Sequence, residues 1–392
     1  MQFVDLAAQQ AQIREKIEAN IHQVLDHGKY IMGPEVARLE EKLADFCGVR
    51  HAMSCASGTD ALLLALLAHG IGPGDAVFTT PFTFIATAEV IRLIGATPVF
   101  VDIEKESYNI DPQKLEQAVS ATVKMDDQLH PLPQIPKTGG IKPRAVIAVD
   151  LFGLPADYDR INAIARKHGL IVVEDAAQSF GARYNGKPAC GLADTACTSF
   201  FPAKPLGGYG DGGMCFTNDD AWAEKIRSLR VHGKGTSKYD NVRIGINGRL
   251  DTLQAAILLA KFDIFENEVS LRRQCADQYT ARLKESGLVV PIEQEGYEGV
   301  WAQYSLLAAD KNTRQVIQEH LKAEGIPTAV YYPIPLHLQT AFADLEYIKG
   351  NFPVSEDCSQ RIFSLPMHPY LTEELQESVV EAILGAGSDM NA

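Results

Sequence analysis

Between about residue 50 and residue 220, short apolar runs rich in β-branched residues alternate with stretches of amphipathic helical period. This alternation is typical of an α/β domain with a largely parallel sheet. Several of the runs are apolar throughout, as expected of strands that helices cover on both faces. The pattern predicts seven strands, at residues 52–54, 76–79, 98–101, 145–149, 170–173, 197–200 and 214–217.

The pattern changes after about residue 255, where long helical runs begin. We therefore predict two domains: residues 1–260 hold an N-terminal helix and the large domain, and residues 261–392 form a smaller C-terminal α/β domain. The stretch Lys124–Arg144 is rich in Pro and Gly and has no period, which predicts a surface loop before a buried strand. Site residues are expected beyond the carboxyl ends of the parallel strands.

Composition and charge narrow the choice of partners. The 392 residues carry 36 Lys and Arg against 50 Asp and Glu, a formal net charge of -14, which argues against binding nucleic acid. No apolar run reaches about 18 residues, and the N-terminus has the pattern of a charged amphipathic helix rather than a signal peptide. We therefore predict a cytoplasmic protein without a membrane partner.

The 7 cysteines form no CxxC pair, which favours reduced, buried thiols and no metal site.

Three motifs stand at predicted strand ends. Ser57-Gly58-Thr59-Asp60 opens a helical run, where free N–H groups can hold a phosphate, although an ordinary helix cap explains the same residues. Asp175 follows Glu174 at the end of an apolar run and needs a ligand or, alternatively, a salt bridge within the protein.

The third motif is SFFPAKPLGGYGDGG, which contains Lys204. A lysine held among apolar residues by a Pro-Lys-Pro turn can lose its proton and become a nucleophile, whereas an isolated lysine is usually a solvated surface charge. Taken together, the motifs supply a phosphate cradle, an acid for a protonated ring nitrogen and an amine for a Schiff base. Pyridoxal phosphate requires these parts.

The chain resembles the sugar aminotransferases of the DegT/DnrJ/EryC1/StrS family over almost its whole length. The matching segments are YIMGPEVARLEEKLADFCG, SGTDALLLAL, PFTFIATAEVI, ATPVFVDI, VVEDAAQSFGA, SFFPAKPLGGYGDGG, GINGRLDTLQAAIL and YYPIPLHLQ. The resemblance implies the aspartate aminotransferase-like fold, type I of the pyridoxal phosphate enzymes, with a mostly parallel seven-stranded sheet.

The resemblance also implies residue roles at the cofactor. Lys204 forms the Schiff base and moves protons, Asp175 pairs with the pyridine nitrogen, and Gln178 lies near the phenolic oxygen. Ser199 joins the backbone of Gly58 and Thr59 on the phosphate.

Two further positions match family residues whose identity alone says little. Phe84 matches the aromatic residue that stacks on the pyridine ring, and Asn247 matches a residue that reaches the phosphate from the neighbouring subunit. Without the resemblance, Phe84 would be read as a core aromatic and Asn247 as a turn residue. The Asn247 match implies a homodimer with shared active sites.

Within the family, the similarity is greatest to the branch that acts on UDP-2-acetamido-2-deoxy-3-oxoglucuronate in bacterial surface polysaccharide (O-antigen) biosynthesis, with L-glutamate as amine donor. Arg249 is then a candidate carboxylate clamp, and Tyr331, Tyr332 and His337 are candidates to line the sugar site. A 3-keto or 4-keto deoxyhexose on dTDP, GDP or UDP stays an alternative substrate. A dehydratase is disfavoured because Lys204 is present, and a non-catalytic regulatory protein because no cofactor residue is missing.

Overall fold

All seven predicted strands are present and lie in one sheet. The computed structural model describes residues 1–134, 140–237 and 239–389. Its strands are β1 His51–Cys55, β2 Asp75–Thr79, β3 Thr97–Phe100, β4 Lys142–Val149, β5 Ile171–Asp175, β6 Arg183–Tyr184, β7 Lys187–Pro188, β8 Thr195–Ser199, β9 Gly213–Thr217, β10 Tyr297–Glu298, β11 Tyr304–Leu307 and β12 Ile362–Leu365. Its α-helices are α1 Leu6–His27, α2 Pro34–Cys47, α3 Gly58–Ala68, α4 Ala86–Leu93, α5 Pro112–Lys124, α6 Tyr158–His168, α7 Asp220–Leu229, α8 Thr252–Leu283, α9 Lys311–Ala323, α10 Pro353–Arg361 and α11 Glu373–Asp389.

The large sheet has the strand order β1-β9-β8-β5-β4-β2-β3. Strand β9 runs antiparallel to β1 and β8, and the remaining neighbours pair in parallel, which confirms the predicted largely parallel sheet. Strand β5 is central, and its last residue, Asp175, pairs with Val149 of β4 and Cys197 of β8. A side chain at this position therefore stands at the middle of the carboxyl edge.

Helices cover both faces of the sheet, and the side chains of each strand alternate between them. Ile147 and Val173 pack in a cluster with α3, α4 and α7, whereas Val146 and Val172 pack in a cluster with α5 and α6. On that second face α2 and α8 cover β8 and β9. Each fully buried aliphatic side chain contributes roughly 1.5–3 kcal/mol. Burial on both faces explains why these strands are apolar throughout.

The C-terminal part has its own core. Strands β11 and β12 pair antiparallel and pack with α9, α11 and the second half of α8. The predicted domain boundary at residue 260 falls inside α8, a single helix of 32 residues, and the division into two domains stays a prediction. Helix α8 also packs against α1 through Ile257 and Ala260.

The predicted surface loop at 124–144 is only partly a surface feature. Helix α5 ends at Lys124 and β4 begins at Lys142, so most of the stretch is a connection as predicted. His130 is nevertheless buried, and its ring contacts the carbonyl oxygen of Phe100 at 2.8 Å. Residues 135–139 of this stretch lie outside the described residues.

The charged N-terminal stretch forms helix α1, as its pattern predicts. No helix in the described ranges combines the length and apolar character needed to cross a membrane. All seven cysteine side chains are buried and unpaired.

Candidate active site

A cavity of about 650 Å³ opens at the carboxyl ends of β4, β5 and β8. It lies where ligands bind in sheets of this class. Most of the predicted site residues line it, namely Gly58, Thr59, Phe84, Asp175, Gln178, Ser199, Lys204, Tyr331 and Tyr332.

The start of helix α3 forms one end of the cavity. Ser57 caps the helix, because its hydroxyl oxygen accepts the N–H of Asp60 at 3.0 Å. The N–H groups of Gly58 and Thr59, in the same first turn, have no acceptor within the helix. A Cβ atom on Gly58 would lie 2.6 Å from the Cβ of Ser199, so only glycine lets the helix start approach that hydroxyl. The helix cap is therefore present, and the N–H groups of Gly58 and Thr59 remain available to an anion in the cavity.

Asp175 is buried at the floor of the cavity, with 6% of its surface exposed. Its carboxylate accepts a hydrogen bond from the Thr87 hydroxyl at 2.8 Å and one from the N–H of Ala177 at 3.3 Å. Burial raises the pKa of Asp175, while these two hydrogen bonds and the charge of Lys204 lower it by less. Both hydrogen-bond partners are neutral, so within the described part of the chain no salt bridge accounts for this carboxylate. A cationic group of a ligand would favour its ionised form.

Glu174, the adjacent carboxylate, has a different role. It is fully buried and accepts the backbone N–H groups of Cys190 at 2.5 Å and Leu192 at 3.0 Å. Burial, and next the nearby Asp150, raise its pKa well above the ordinary value. Because successive side chains of a strand point to opposite sides, only Asp175 reaches the cavity.

Lys204 lies in the turn that connects β8 to the glycine-rich loop. The turn is tight: the N–H of Lys204 donates to the Phe201 carbonyl at 2.9 Å, and a Cβ on Gly207 would lie 2.3 Å from the Pro202 carbonyl oxygen. Burial lowers the pKa of the Lys204 amine, and the Asp175 carboxylate only partly offsets this effect. A larger neutral fraction makes the amine a better nucleophile.

Two aromatic side chains and one amide shape the opposite side. Gln178 accepts the N–H of Phe152 at 2.8 Å and donates to the Tyr332 hydroxyl at 3.2 Å. Burial raises the pKa of Tyr332. Phe84 lines the cavity and is 56% exposed although it is a large apolar residue.

Three predicted residues do not line this cavity. Asn247 is exposed, and Arg249 is half-buried, with an Nε atom that has no hydrogen-bond partner among the described residues. His337 is placed differently from the prediction. Its side chain is fully buried, its ring nitrogen contacts Glu356 at 2.9 Å, and its ring packs against Phe352. His337 therefore does not contribute to the surface of the candidate site.

The structure also adds residues that sequence reasoning missed. Thr87 holds Asp175 and lies four residues after Thr83, to which its hydroxyl is also close, at 3.2 Å. Thr83 lies before helix α4, which begins at Ala86, so no helical spacing marks the pair in the sequence. Gln303 lines the cavity from the C-terminal part, and no local motif marks it.

Three features of the cavity fit pyridoxal phosphate. The start of α3 with Ser199 offers donors to a phosphate, Asp175 offers a carboxylate to a protonated ring nitrogen, and Lys204 offers an amine of lowered pKa. Together with the seven-stranded sheet, they define a pyridoxal phosphate enzyme of fold type I.

Comparison with known proteins identifies the family. The model of the DegT/DnrJ/EryC1/StrS aminotransferase family matches residues 11–384, and the chain belongs to this family. It is a pyridoxal phosphate-dependent aminotransferase. The chain is 50% identical to the UDP-2-acetamido-2-deoxy-3-oxo-D-glucuronate aminotransferase of Pseudomonas aeruginosa, over 95% of this chain and 96% of that protein.

Two other comparisons span nearly the full length. The chain is 44% identical to the pleiotropic regulatory protein of Geobacillus stearothermophilus, over 97% of each chain. The crystal structure of a DegT DnrJ EryC1 StrS aminotransferase from Brucella abortus superposes with a TM-score of 0.92 at 49% identity and covers 98% of this chain and 99% of that one.

Proposed function

We propose that this aminotransferase moves the amine of L-glutamate to the C3 carbonyl of UDP-2-acetamido-2-deoxy-3-oxoglucuronate. The observation that carries the proposal is the cavity itself. It brings the Lys204 amine and the Asp175 carboxylate together and has a volume of about 650 Å³, well within the range of pockets that enclose a whole small ligand. The relative from Pseudomonas aeruginosa, which bears the name of this reaction, supports the choice of sugar.

Each cavity residue has a task in this proposal. Pyridoxal phosphate supplies an electron sink when it is bound. Asp175 keeps the ring nitrogen protonated, and Gly58, Thr59 and Ser199 hold the phosphate. Lys204 holds the cofactor and then carries the proton to and from the substrate carbon as general acid and base.

The reaction balances as two half-reactions. Glutamate gives up its amine, takes its new carbonyl oxygen from one water molecule and leaves as 2-oxoglutarate. The sugar carbon then takes the amine, and its carbonyl oxygen leaves as water. Phe84 and Gln178 would keep the ring in place through both halves, because one is an exposed aromatic residue that lines the cavity and the other has an amide held at both ends. Tyr331 and Tyr332 would contact the sugar.

Anionic substrates have to bind a chain of net charge -14. We propose that Arg249 binds a carboxylate, since its buried Nε atom has no partner among the described residues and a guanidinium binds carboxylates through two hydrogen bonds. Arg249 and Asn247 lie outside the cavity of their own chain. We therefore propose a homodimer in which Asn247 reaches the phosphate of the neighbouring site. The cytoplasmic location and the role in surface polysaccharide (O-antigen) biosynthesis stay predictions.

The test is a panel of nucleotide-linked keto sugars incubated with holoenzyme and L-glutamate, with products identified by mass spectrometry. We expect amination of the 3-oxo uronate. Conversion of only a 4-keto deoxyhexose would overturn the substrate assignment and leave the mechanism standing. Lys204→Ala should bind the cofactor without multiple turnovers, whereas Lys311→Ala, which removes an exposed lysine of α9, should match the wild type.

A regulatory function is the second candidate, because the relative at 44% identity is named as a regulatory protein. Addition of L-glutamate to the yellow holoprotein distinguishes the two. A transaminase changes its absorbance and releases 2-oxoglutarate in a stoichiometric burst, whereas a binding protein does neither.

A further inference from the structure

A second, small cavity adjoins the candidate active site. It has a volume of about 30 Å³ and an almost entirely apolar lining that includes Tyr108, Leu151, Phe152, Gly299 and Trp301. We call it the apolar recess. Its volume admits a group the size of a methyl or of one water molecule, and apolar cavities do not hold water well.

The backbone around the apolar recess is unusual. Tyr108, Phe152 and Trp301 all have a left-handed backbone, with φ of 60°, 60° and 51°. Bulky residues seldom adopt this conformation, and such strain tends to collect at functional sites. Three strained aromatic residues around one small cavity indicate that its shape is maintained against a local backbone preference.

Gln303 connects the recess to the active site. Gln303 lines both cavities. The Oε1 atom of Gln303 is buried and has no hydrogen-bond partner among the described residues. The backbone N–H of Gln303 contacts the Phe152 carbonyl oxygen at 3.4 Å, and the N–H of Phe152 donates to Gln178. Because a buried acceptor without a donor is unfavourable, a ligand that donates to Oε1 would gain affinity at this place.

We propose that Gln303 and the apolar recess bind the 2-acetamido group of the sugar and so select N-acetylated substrates. The proposal rests on the proposed function and names the part of the substrate that the enzyme reads beside the reacting carbon. The acetamido N–H donates to Oε1 of Gln303, and the methyl group fills the recess.

The chemistry of the amide fits this arrangement. In a trans secondary amide the N–H and the methyl group lie on the same side of the C–N bond, because the N–H is opposite the carbonyl oxygen. An acceptor at the mouth of an apolar recess therefore meets both groups at once. A 2-hydroxyl group leaves the recess empty and can rotate its O–H toward other acceptors, so it depends less on Gln303 than the acetamido N–H, whose direction is fixed. A site that pairs a polar group of its substrate discriminates strongly against analogues that leave that group unpaired.

The experiment compares two substrates, the UDP-linked 3-oxo uronates that carry either an acetamido or a hydroxyl group at C2. The kcat/KM of holoenzyme is measured for both, and calorimetry on holoenzyme without glutamate gives both Kd values. We expect the wild type to favour the acetamido sugar. Gln303→Met, which removes the acceptor at similar size, should reduce the preference about tenfold, and Gln303→Glu, which keeps an acceptor, should retain it.

A second variant tests the recess itself. The Cβ of Gly299→Ala would lie 3.3 Å from the Gly153 carbonyl oxygen, 3.6 Å from Oε1 of Glu293 and 3.7 Å from Cδ1 of Leu154, so it narrows the recess and requires only a small shift of the Gly153 backbone. It should reduce the acetamido preference about fourfold, the value of one buried methyl group. Gln315→Met on the exposed face of α9 is the matched control and should leave the preference unchanged.

The outcomes separate the two proposals. If the wild type favours the acetamido sugar and Gln303→Met keeps the full preference in both measurements, the recess proposal is wrong and the proposed function stands. Equal use of both uronates by the wild type also overturns the recess proposal alone. If neither uronate binds or reacts, both proposals fail.

Discussion

The two sides of the active-site cavity differ in how the chain holds them. On one side, which we call the cofactor wall, Gly58, Asp175, Ser199 and Lys204 lie at strand ends or in the helix start or turn that follows a strand. On the other, the C-terminal wall, Gln303, Tyr331 and Tyr332 come from connections outside the large sheet. The cofactor wall is held by the hydrogen-bonded backbone of the sheet and the segments next to it, whereas the C-terminal wall depends on side-chain packing.

This difference has a consequence for function. The sheet and the segments that directly follow its strands place the polar groups of the cofactor wall, so a small change there displaces groups that need one geometry. Connections tolerate changes better than the elements they join, and they commonly carry specificity. We therefore expect substitutions in the cofactor wall to impair turnover in general, and substitutions in the C-terminal wall to change which sugar is used.

The largest effect is expected for Asp175→Asn, which removes the buried negative charge and keeps the size of the side chain. The kcat/KM should fall by roughly 10²–10³-fold, as for other preorganised electrostatic groups. Steady-state kinetics measure the loss, and Asp45→Asn on the exposed face of α2 is the control. If Asp175→Asn keeps full activity, Asp175 has no role in the mechanism, and the expected difference in sensitivity between the two walls is wrong.

The next largest effect is expected for Gly58→Ala. Its Cβ would lie 2.6 Å from the Cβ of Ser199. The overlap costs about 1–3 kcal/mol, so cofactor affinity should fall roughly ten- to a hundredfold. Absorbance titration with pyridoxal phosphate measures the Kd. Gly72→Ala, whose nearest neighbour would be 3.9 Å away, should leave it unchanged, and an equal response of the two variants would contradict the phosphate cradle.

Thr87→Val comes third, because it removes one hydrogen bond to Asp175 and keeps the shape of the side chain. We expect a decrease in kcat/KM of about tenfold. The lost bond stabilises the ionised carboxylate and lowers its pKa, so its removal raises the pKa of Asp175 further. As pH falls, activity should therefore be lost at a higher pH than in the wild type. Thr122→Val, which loses a hydrogen bond inside α5, controls for the general cost of replacing a threonine by valine. If the acid limb of the pH–activity profile does not move in Thr87→Val, Thr87 does not set the pKa of Asp175.

Tyr332→Phe should have the smallest effect. The variant loses the acceptor for Gln178 at 3.2 Å but retains the ring. We expect about a threefold decrease in kcat/KM, the size of one neutral hydrogen bond. The decrease should differ between the two C2-substituted uronates, because this tyrosine belongs to the C-terminal wall. An identical decrease for both sugars would place Tyr332 with the cofactor wall instead.

The cofactor wall could be predicted from the sequence almost completely. Its signals are local: an apolar run ends in Glu174 and Asp175, a helical run begins after Ser57, and a Pro-Lys-Pro turn holds Lys204. Adjacent carboxylates on a strand point to opposite sides, but the strand alone does not say which of them faces the ligand. Thr87 was missed because its partner Asp175 is 88 residues away.

The C-terminal wall could be predicted only in part. Tyr331 and Tyr332 line the cavity, whereas His337, in the same matching segment, is buried beside Phe352 and Glu356. The short 3-10 turn Leu336–Leu338 and its packing decide this direction. Gln303 carries no local signal, since its position depends on contacts between distant segments.

By itself, the sequence determined the sheet, its helices and the cofactor motifs of this protein, because periodicity and capping are properties of neighbouring residues. Only the tertiary structure decided which residues of the C-terminal part reach the cavity, that Glu174 is structural, and that an apolar recess lies next to Gln303. These features arise where segments far apart in the chain pack together. No pattern of neighbouring residues records such contacts.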